Sequence, residues 1–238
     1  MKLNKMAKII LYLVYLLCLC AAASVRAQET LPKSLDIEKI RGSRFIPYPN
    51  YPGAPFLNNK FLVGEIEFLD GTKIENIGLN YGTYRDELIY YNTAISTQIV
   101  IDKISLNGFS FFDKKGVKRV FRRQYFTGSF KGDCYFEVLS KGDISLLAYR
   151  KVNIEATDTY YSKTGMSYQP SYSYYLYSPD KGYTPINLSK NSLLSKYSKT
   201  NQKLLRKTLR KNGVYISDEP SFVKAWNLTN EYGIHPEF

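Results

Sequence analysis

Residues 61–91 constrain the fold of this chain more than any other stretch. Two runs with alternating apolar and polar residues flank the dipeptide Asp70-Gly71. Asp-Gly between alternating runs is a strong local signal for a β-hairpin, because tight hairpin turns need residues that tolerate a positive φ. A two-residue turn predicts four pairs across the hairpin: Phe68 with Lys73, Ile66 with Glu75, Gly64 with Ile77 and Leu62 with Leu79.

Further strand candidates follow at short intervals, with turn residues between them. They cover residues 87–91, 97–101, 108–112, 117–126, 134–139, 144–152, 172–177 and 183–188. No long helical pattern interrupts them, so a parallel sheet with crossover helices is disfavoured. The sequence therefore predicts a mainly β fold, an antiparallel meander that curls into a half-barrel or a sandwich.

The pattern changes after residue 188. Residues 189–197 and 200–212 have helical periodicity, and Asp218 followed by Pro220 indicates the start of a third helix. Amphipathic helices this short need a surface to pack on. We expect two to three short C-terminal α-helices packed on the sheet, which makes the fold α+β overall.

The chain divides into four predicted segments. Residues 1–27 have a lysine-rich start, an apolar run and small residues before a cleavage site at Ala27, the pattern of a secretory signal peptide. Residues 28–59 form a proline-rich arm or linker, residues 60–188 the antiparallel β domain, and residues 189–238 a basic helical tail docked on it. We expect export to the periplasm, to the outer membrane or out of the cell.

The run from Gly53 to Tyr91 carries a recurring order of motifs. Its opening is Gly53, Pro55, Phe56 and Leu57, and the later positions are Gly64, Asp70, Gly71, Leu79, Tyr81, Asp86 and Glu87. This order resembles an uncharacterised secreted protein family of the Bacteroidota. The hairpin at 134–147 and the segment Ser189, Lys190, Leu193 and Leu194 are similar too, whereas Gly82 departs from the asparagine expected after Tyr81. The resemblance implies an exported envelope protein and no particular activity.

Catalytic chemistry has few candidate residues. His235 is the single histidine, and Cys134 is the single cysteine outside residues 1–27. No nucleotide-binding glycine motif and no zinc-binding spacing is present. Strand alternation places Asp86 and Glu87 on opposite faces, where they cannot share a site. We expect no catalytic residues, no metal and no cofactor, and a carboxylate-dependent glycoside hydrolase is the disfavoured alternative.

Tyrosines are concentrated in residues 160–183. Rigid amphipathic rings suit the recognition of sugars or proteins. The candidate binding residues are Tyr172, Tyr174, Tyr175 and Tyr177. Alternation places the first two on one face and the last two on the other, so at least one pair belongs to the core. The competing interpretation is a tyrosine-rich β core.

Residues 181–217 carry nine Lys or Arg and no Asp or Glu, in a chain of net charge +12. Arg206, Lys207 and Arg210 are the candidate contacts for an anionic partner, and the competing interpretation is a solvated helix face. A second basic cluster, at residues 114–123, occupies both strand parities and indicates an exposed or edge strand protected by charge.

These observations predict an exported, non-catalytic envelope protein with a binding or assembly role. Its expected partners are an anionic envelope polymer, a glycan or another envelope protein, and not nucleic acid. The sharper alternative is a carbohydrate-binding module that uses exposed tyrosines.

Overall fold

A computed structural model describes residues 39–157 and 165–237. The predicted signal peptide, the first part of the predicted arm, and Tyr160 and Tyr161 lie outside these residues. The strands are β1 (Gly42–Arg44), β2 (Leu62–Phe68), β3 (Lys73–Gly82), β4 (Glu87–Asn92), β5 (Thr97–Ile101), β6 (Leu106–Phe112), β7 (Lys118–Phe126), β8 (Gly132–Ser140), β9 (Ser145–Ala156), β10 (Met166–Ser178) and β11 (Gly182–Pro185). The α-helices that follow are α1 (Lys190–Leu194), α2 (Lys199–Lys211) and α3 (Glu219–Glu231).

All eleven strands form one antiparallel sheet that does not close on itself. Their order is β1-β5-β4-β3-β2-β6-β7-β8-β9-β10-β11. The meander is interrupted twice, because β1 pairs with β5 and β6 returns to the free side of β2. The predicted fold class is confirmed: a curled antiparallel sheet with three short C-terminal helices. No helix in the described part of the chain is long and apolar enough to cross a bilayer.

The β2–β3 hairpin forms as predicted at its base but not at its tip. Leu62 pairs with Leu79 and Gly64 with Ile77, whereas Ile66 pairs with Ile74 instead of Glu75. The shift is a β-bulge, in which Asn76 adopts a φ of 58°. The extra residue turns Ile74 into the core beside Ile77, although the two side chains have opposite parity in the sequence.

The first half of the sheet curls around an aromatic core on its inner face. The ring centroid of Tyr81 on β3 lies 5.2 Å from that of Phe121 on β7 and 6.1 Å from that of Tyr135 on β8. The turn between β3 and β4 reaches β9, where the Val152 amide donates to the Thr83 carbonyl at 3.2 Å. The half-barrel is therefore bridged from β3 across to β9.

The three helices pack on the inner face of the second half of the sheet. Ser189, Ser198 and Asp218 cap their N-termini. Phe222 and Trp226 of α3 are fully buried in a cluster that includes Leu146 on β9 and Leu176 on β10. The sheet supplies the apolar surface that these short helices lack on their own.

A group of aromatic side chains, which we call the aromatic cluster, covers the outer face of the second half of the sheet, strands β7 to β11. Phe136 and Tyr183 stack with centroids 5.3 Å apart, and Phe126, Tyr149, Tyr175 and Tyr177 pack around them. The Tyr183 hydroxyl on β11 donates to Gln124 on β7 at 2.9 Å, although β8, β9 and β10 lie between these strands. This half of the sheet therefore curves toward its outer face, opposite to the curl of the first half.

The second basic cluster was predicted to mark an exposed or an edge strand, and the edge alternative is wrong because β7 lies between β6 and β8 inside the sheet. Three of its cations pair with acids of β2, beyond β6, and of the adjacent β8: Lys118 with Glu65, Arg122 with Glu67 and Arg119 with Glu137. Charge on both parities arises because each face of β7 meets carboxylates, a pairing that the local sequence does not reveal.

Candidate functional site

The proline-rich segment crosses the outer face of the first half of the sheet. We call residues 45–61 the strap. At one end the Phe45 amide donates to the Gln98 carbonyl on β5, and at the other the Leu57 amide donates to the Tyr81 carbonyl on β3, both at 2.9 Å. Prolines hold the strap extended and remove N–H groups that would otherwise need partners. The segment predicted as an arm or linker thus lies against the domain.

Two glycines allow the strap to approach the sheet closely. A Cβ at Gly82 would collide with the Tyr48 hydroxyl, which donates to Glu87 at 2.7 Å. Gly53 has a φ of 99° and faces the backbone of Tyr168. The Tyr168 hydroxyl in turn donates to the Pro49 carbonyl at 2.7 Å. The middle of the strap is therefore fixed to both β3 and β10.

A groove of about 910 Å³ opens between one end of the strap and the outer face of the sheet. Three phenylalanine rings, Phe45, Phe56 and Phe61, line it. All three are only partly buried, and Phe45 and Phe56 lie 6.1 Å apart between centroids. A groove of this volume falls in the range of small-ligand sites, in which aromatic walls are common.

Asn80 on β3 lines this groove and is 5% exposed. Its Oδ1 atom has no hydrogen-bond partner among the residues that the structure describes. A buried polar atom without a partner costs free energy, on the order of 1–3 kcal/mol. An unpartnered acceptor therefore lies just beneath the lining of the groove, where a ligand's donor would reach it only if the side chain of Asn80 turned toward the groove.

The remaining lining residues are Ile46, Pro47, two cations and several uncharged polar side chains, so the groove is positively charged. Arg44 and Lys60 are exposed and form no ion pair within residues 39–157 and 165–237. No Asp or Glu of residues 39–157 and 165–237 lines the groove. Its other polar residues are Asn59, Ser96, Thr97 and Gln98. The local charge therefore favours an anionic ligand.

The four predicted tyrosines divide between the two faces of the sheet, as their alternation indicates. Tyr172 is 40% exposed, and the Arg150 guanidinium lies 5.0 Å from its ring centroid. The Tyr174 hydroxyl donates to Glu219 at 2.6 Å, and burial raises the pKa of Tyr174 to about 12. Tyr175 and Tyr177 pack in the aromatic cluster. The structure does not bring the four rings together into one exposed strip.

Arg206, Lys207 and Arg210 lie exposed on α2, as the amphipathic pattern predicts. None of them forms an ion pair in the part of the chain that the structure describes. In this same part, no hydrogen bond or cation–π contact connects them to the four tyrosines. They are a separate surface from both the tyrosines and the groove.

A buried ion network lies on the inner face between the half-barrel core and α3. Glu137 accepts from Arg119 and from Arg150 at 2.6 Å, and Arg150 also binds Glu219 at 2.7 Å. Burial alone would raise the pKa of Glu219, but hydrogen bonds from Arg150 and Tyr174 hold it below its usual value. Both carboxylates are held in place by hydrogen bonds from side chains of other strands.

The other acidic pair departs from strand alternation. Asp86 precedes β4 with a φ of 55°, and it lines the same concavity as Glu87, of about 550 Å³. Burial raises the pKa of Asp86, against the opposing effects of Lys103 at 2.7 Å and the Tyr81 hydroxyl at 2.6 Å. Each carboxylate thus has a structural partner: Lys103 and Tyr81 for Asp86, and Tyr48 for Glu87.

Two single residues that the sequence analysis set aside have ordinary surroundings. Cys134 is buried in the aromatic cluster, and burial raises the pKa of its thiol to about 11, as expected for a small core residue. His235 donates no side-chain hydrogen bond to a candidate site, and its carbonyl accepts from Asn201. Across residues 39–157 and 165–237, no three His, Cys, Asp or Glu side chains are grouped so as to hold a metal ion.

Sequence reasoning missed the groove. Asn80 occupies an outward position of a strand, where a polar residue is normally read as solvated. The strap that covers it comes from a segment that has no periodicity. The available signal was the alternation of prolines with aromatic residues at Phe45, Tyr48 and Phe56, which is compatible with an extended chain that packs on a surface.

The comparisons with known proteins leave the family open. No protein-family model matches the chain, no curated protein matches its sequence, and no solved structure matches its fold. The candidate site therefore has to be judged on its own geometry.

Proposed function

We propose that this chain is an exported, non-catalytic binding protein of the cell envelope, and that the groove beside the strap is its ligand site. The observation that supports this most is Asn80, whose buried Oδ1 lacks a partner in a groove lined by partly exposed rings. Folding gains nothing from such an acceptor. A ligand hydroxyl or N–H would repay its cost.

Fluorine NMR tests the groove directly. The chain is labelled with 3-fluorophenylalanine, and the resonances of Phe45, Phe56 and Phe61 are assigned by single replacements with leucine. The probes are neutral and acidic oligosaccharides, short peptides and vesicles of anionic phospholipid. We expect at least one probe to shift these three resonances and to leave the resonance of buried Phe136 unchanged. If no probe shifts them, the groove is not a ligand site.

The Tyr172→Ala variant separates this proposal from a module that binds sugars through its tyrosines. Tyr172 is the most exposed of the four candidate tyrosines. On our proposal its loss leaves binding unchanged, while Phe61→Ala weakens it. If Tyr172→Ala weakens binding and Phe61→Ala does not, the ligand binds at β10 instead of at the groove.

Export is tested by fusing residues 1–27 to an alkaline phosphatase that lacks its own leader. This enzyme is active only outside the cytoplasm, so the fusion should be active, and a fusion with Lys2, Lys5 and Lys8 replaced by glutamate should not. The exposed cations of α2 support retention at an anionic surface. Reversing Arg206, Lys207 and Arg210 to glutamate should then abolish salt-sensitive binding to vesicles that contain anionic lipid.

A further inference from the structure

We infer that the groove takes an acidic saccharide, an inference that rests on the proposed function. Asn80 places an unpartnered acceptor beneath the lining of the groove. A small turn of its side chain would expose this acceptor to a donor of the ligand. Sugar hydroxyls are donors that fit an amide carbonyl, and they are present on every ring of a saccharide.

The walls of the groove combine aromatic rings with short polar side chains. Phe45, Phe56 and Phe61 present partly exposed rings, which can cover the apolar C–H face of a pyranose. Short polar side chains, Ser96, Thr97 and Gln98, lie in the same lining. Such a mixture of flat apolar rings and small hydrogen-bonding groups matches a ligand that is apolar on its faces and polar around its rim.

The lining of the groove carries two positive charges. Arg44 and Lys60 line the groove without an acidic residue in the lining and without an ion pair among the described residues. A guanidinium binds a carboxylate or a sulfate with two parallel hydrogen bonds. A neutral sugar would leave both cations unused, so the ligand carries a carboxylate or a sulfate group.

A peptide fits these observations less well. Peptides that bind beside a sheet commonly add a strand to a free edge. The edge strand at this groove, β1, has three residues, and the groove opens on the face of the sheet instead of along its edge.

Isothermal titration with three probes tests the inference: trigalacturonic acid, the neutral maltotriose and an acetylated Asp-Asp-Asp peptide. We expect trigalacturonic acid to bind at least tenfold more tightly than the other two. Replacing Arg44 or Lys60 with glutamine should weaken its binding about tenfold, the loss of one charge-assisted hydrogen bond. The matched control is Lys131→Gln, an exposed cation outside the groove, which should change nothing.

Salt provides a second reading that requires no variant. Binding of trigalacturonic acid should weaken as sodium chloride rises from 50 to 500 mM, because salt screens exposed charges. Equal binding of the acidic and neutral sugars, or binding of the peptide alone, overturns the inference and leaves the groove as a ligand site. If none of the three probes binds, the inference is also wrong. The fluorine NMR experiment then shows whether the groove binds any ligand, and so whether the proposed function is wrong as well.

Discussion

The outer face of β7–β11 and the outer face of β3–β5 both carry aromatic side chains, but they use them differently. In the aromatic cluster the rings of Phe136 and Tyr183 stack on each other, and Phe136 is fully buried. Beside the strap, Phe45, Phe56 and Phe61 stand around a gap with a polar atom inside it. Aromatic abundance in a sequence therefore does not locate a binding surface. The rings beside the groove also contact other rings, since Phe45 and Phe56 both pack on Tyr48, but they remain partly exposed.

The largest expected contrast is in stability. Phe136 is fully buried in the aromatic cluster, so Phe136→Ala should lower the free energy of unfolding by about 4 kcal/mol through lost burial and a cavity. Phe61→Ala beside the groove should lower it by about 1 kcal/mol or less. Urea denaturation of the two variants measures both values. Equal losses would mean that the groove rings are as much a part of the core as the cluster.

The inner face provides the next contrast, between a buried and an exposed ion pair. Arg150→Met would leave Glu219 and one side of the 4% exposed Glu137 without a cation, and we expect a loss of about 3 kcal/mol. Its control is Arg122→Met, which breaks a more exposed pair with Glu67 at 2.7 Å and should cost about 0–1 kcal/mol. Equilibrium unfolding in urea again measures both. A small loss for Arg150→Met would show that Arg119 alone holds Glu137.

A smaller effect of opposite sign is expected at Asn80. Asn80→Leu removes an unpartnered buried acceptor, so stability should rise by about 1 kcal/mol while ligand binding is lost. Asn107 is the matched control, because its amide donates to Glu67 at 2.7 Å. Asn107→Leu should lower stability by about 1 kcal/mol. Thermal unfolding and the fluorine spectra of the groove resolve the two outcomes, and a destabilised Asn80→Leu variant would refute the assigned role.

The smallest effect is a pH dependence from Glu219. Its folded-state pKa lies below the ordinary value of 4.5. The stabilisation from this group is therefore fully present above pH 4.5 and is lost as the pH falls through the folded-state pKa. Glu219→Gln cannot titrate, so its stability should vary less with pH below 4.5 than that of the wild type. Urea midpoints between pH 3 and pH 6 test this, and parallel curves would contradict it.

The sequence predicts local order well and long-range packing poorly. The hairpin base at Leu62 and Leu79, the strand positions and the three helices follow from alternation, turn residues and caps. The bulge at Asn76 cannot be predicted from alternation. It forms because Ile74, and not Glu75, packs into a core built from strands far away in the sequence. Likewise, Arg119 and Arg122 resemble the charges of an edge strand in the sequence. Only the structure shows that they pair with Glu137 and Glu67.

The candidate site was beyond prediction for a related reason. The alternation of Tyr174 and Tyr175 correctly assigns them to opposite faces, but it does not show that α3 covers one and β11 the other. The groove is lined by four segments within residues 44–98, which include Arg44, Phe61, Asn80 and Gln98. No short motif contains all of them, so no local pattern marks the site.

The strap also determines the order in which the molecule can assemble. Its Pro49 carbonyl accepts from the hydroxyl of Tyr168, a residue 119 positions later in the chain. Contacts of such long separation close late, since their entropic cost is repaid only after the intervening structure exists. The middle of the strap therefore finds its place after β10 has formed, whereas its two ends, held at Gln98 and Tyr81, can dock on the first half of the sheet earlier.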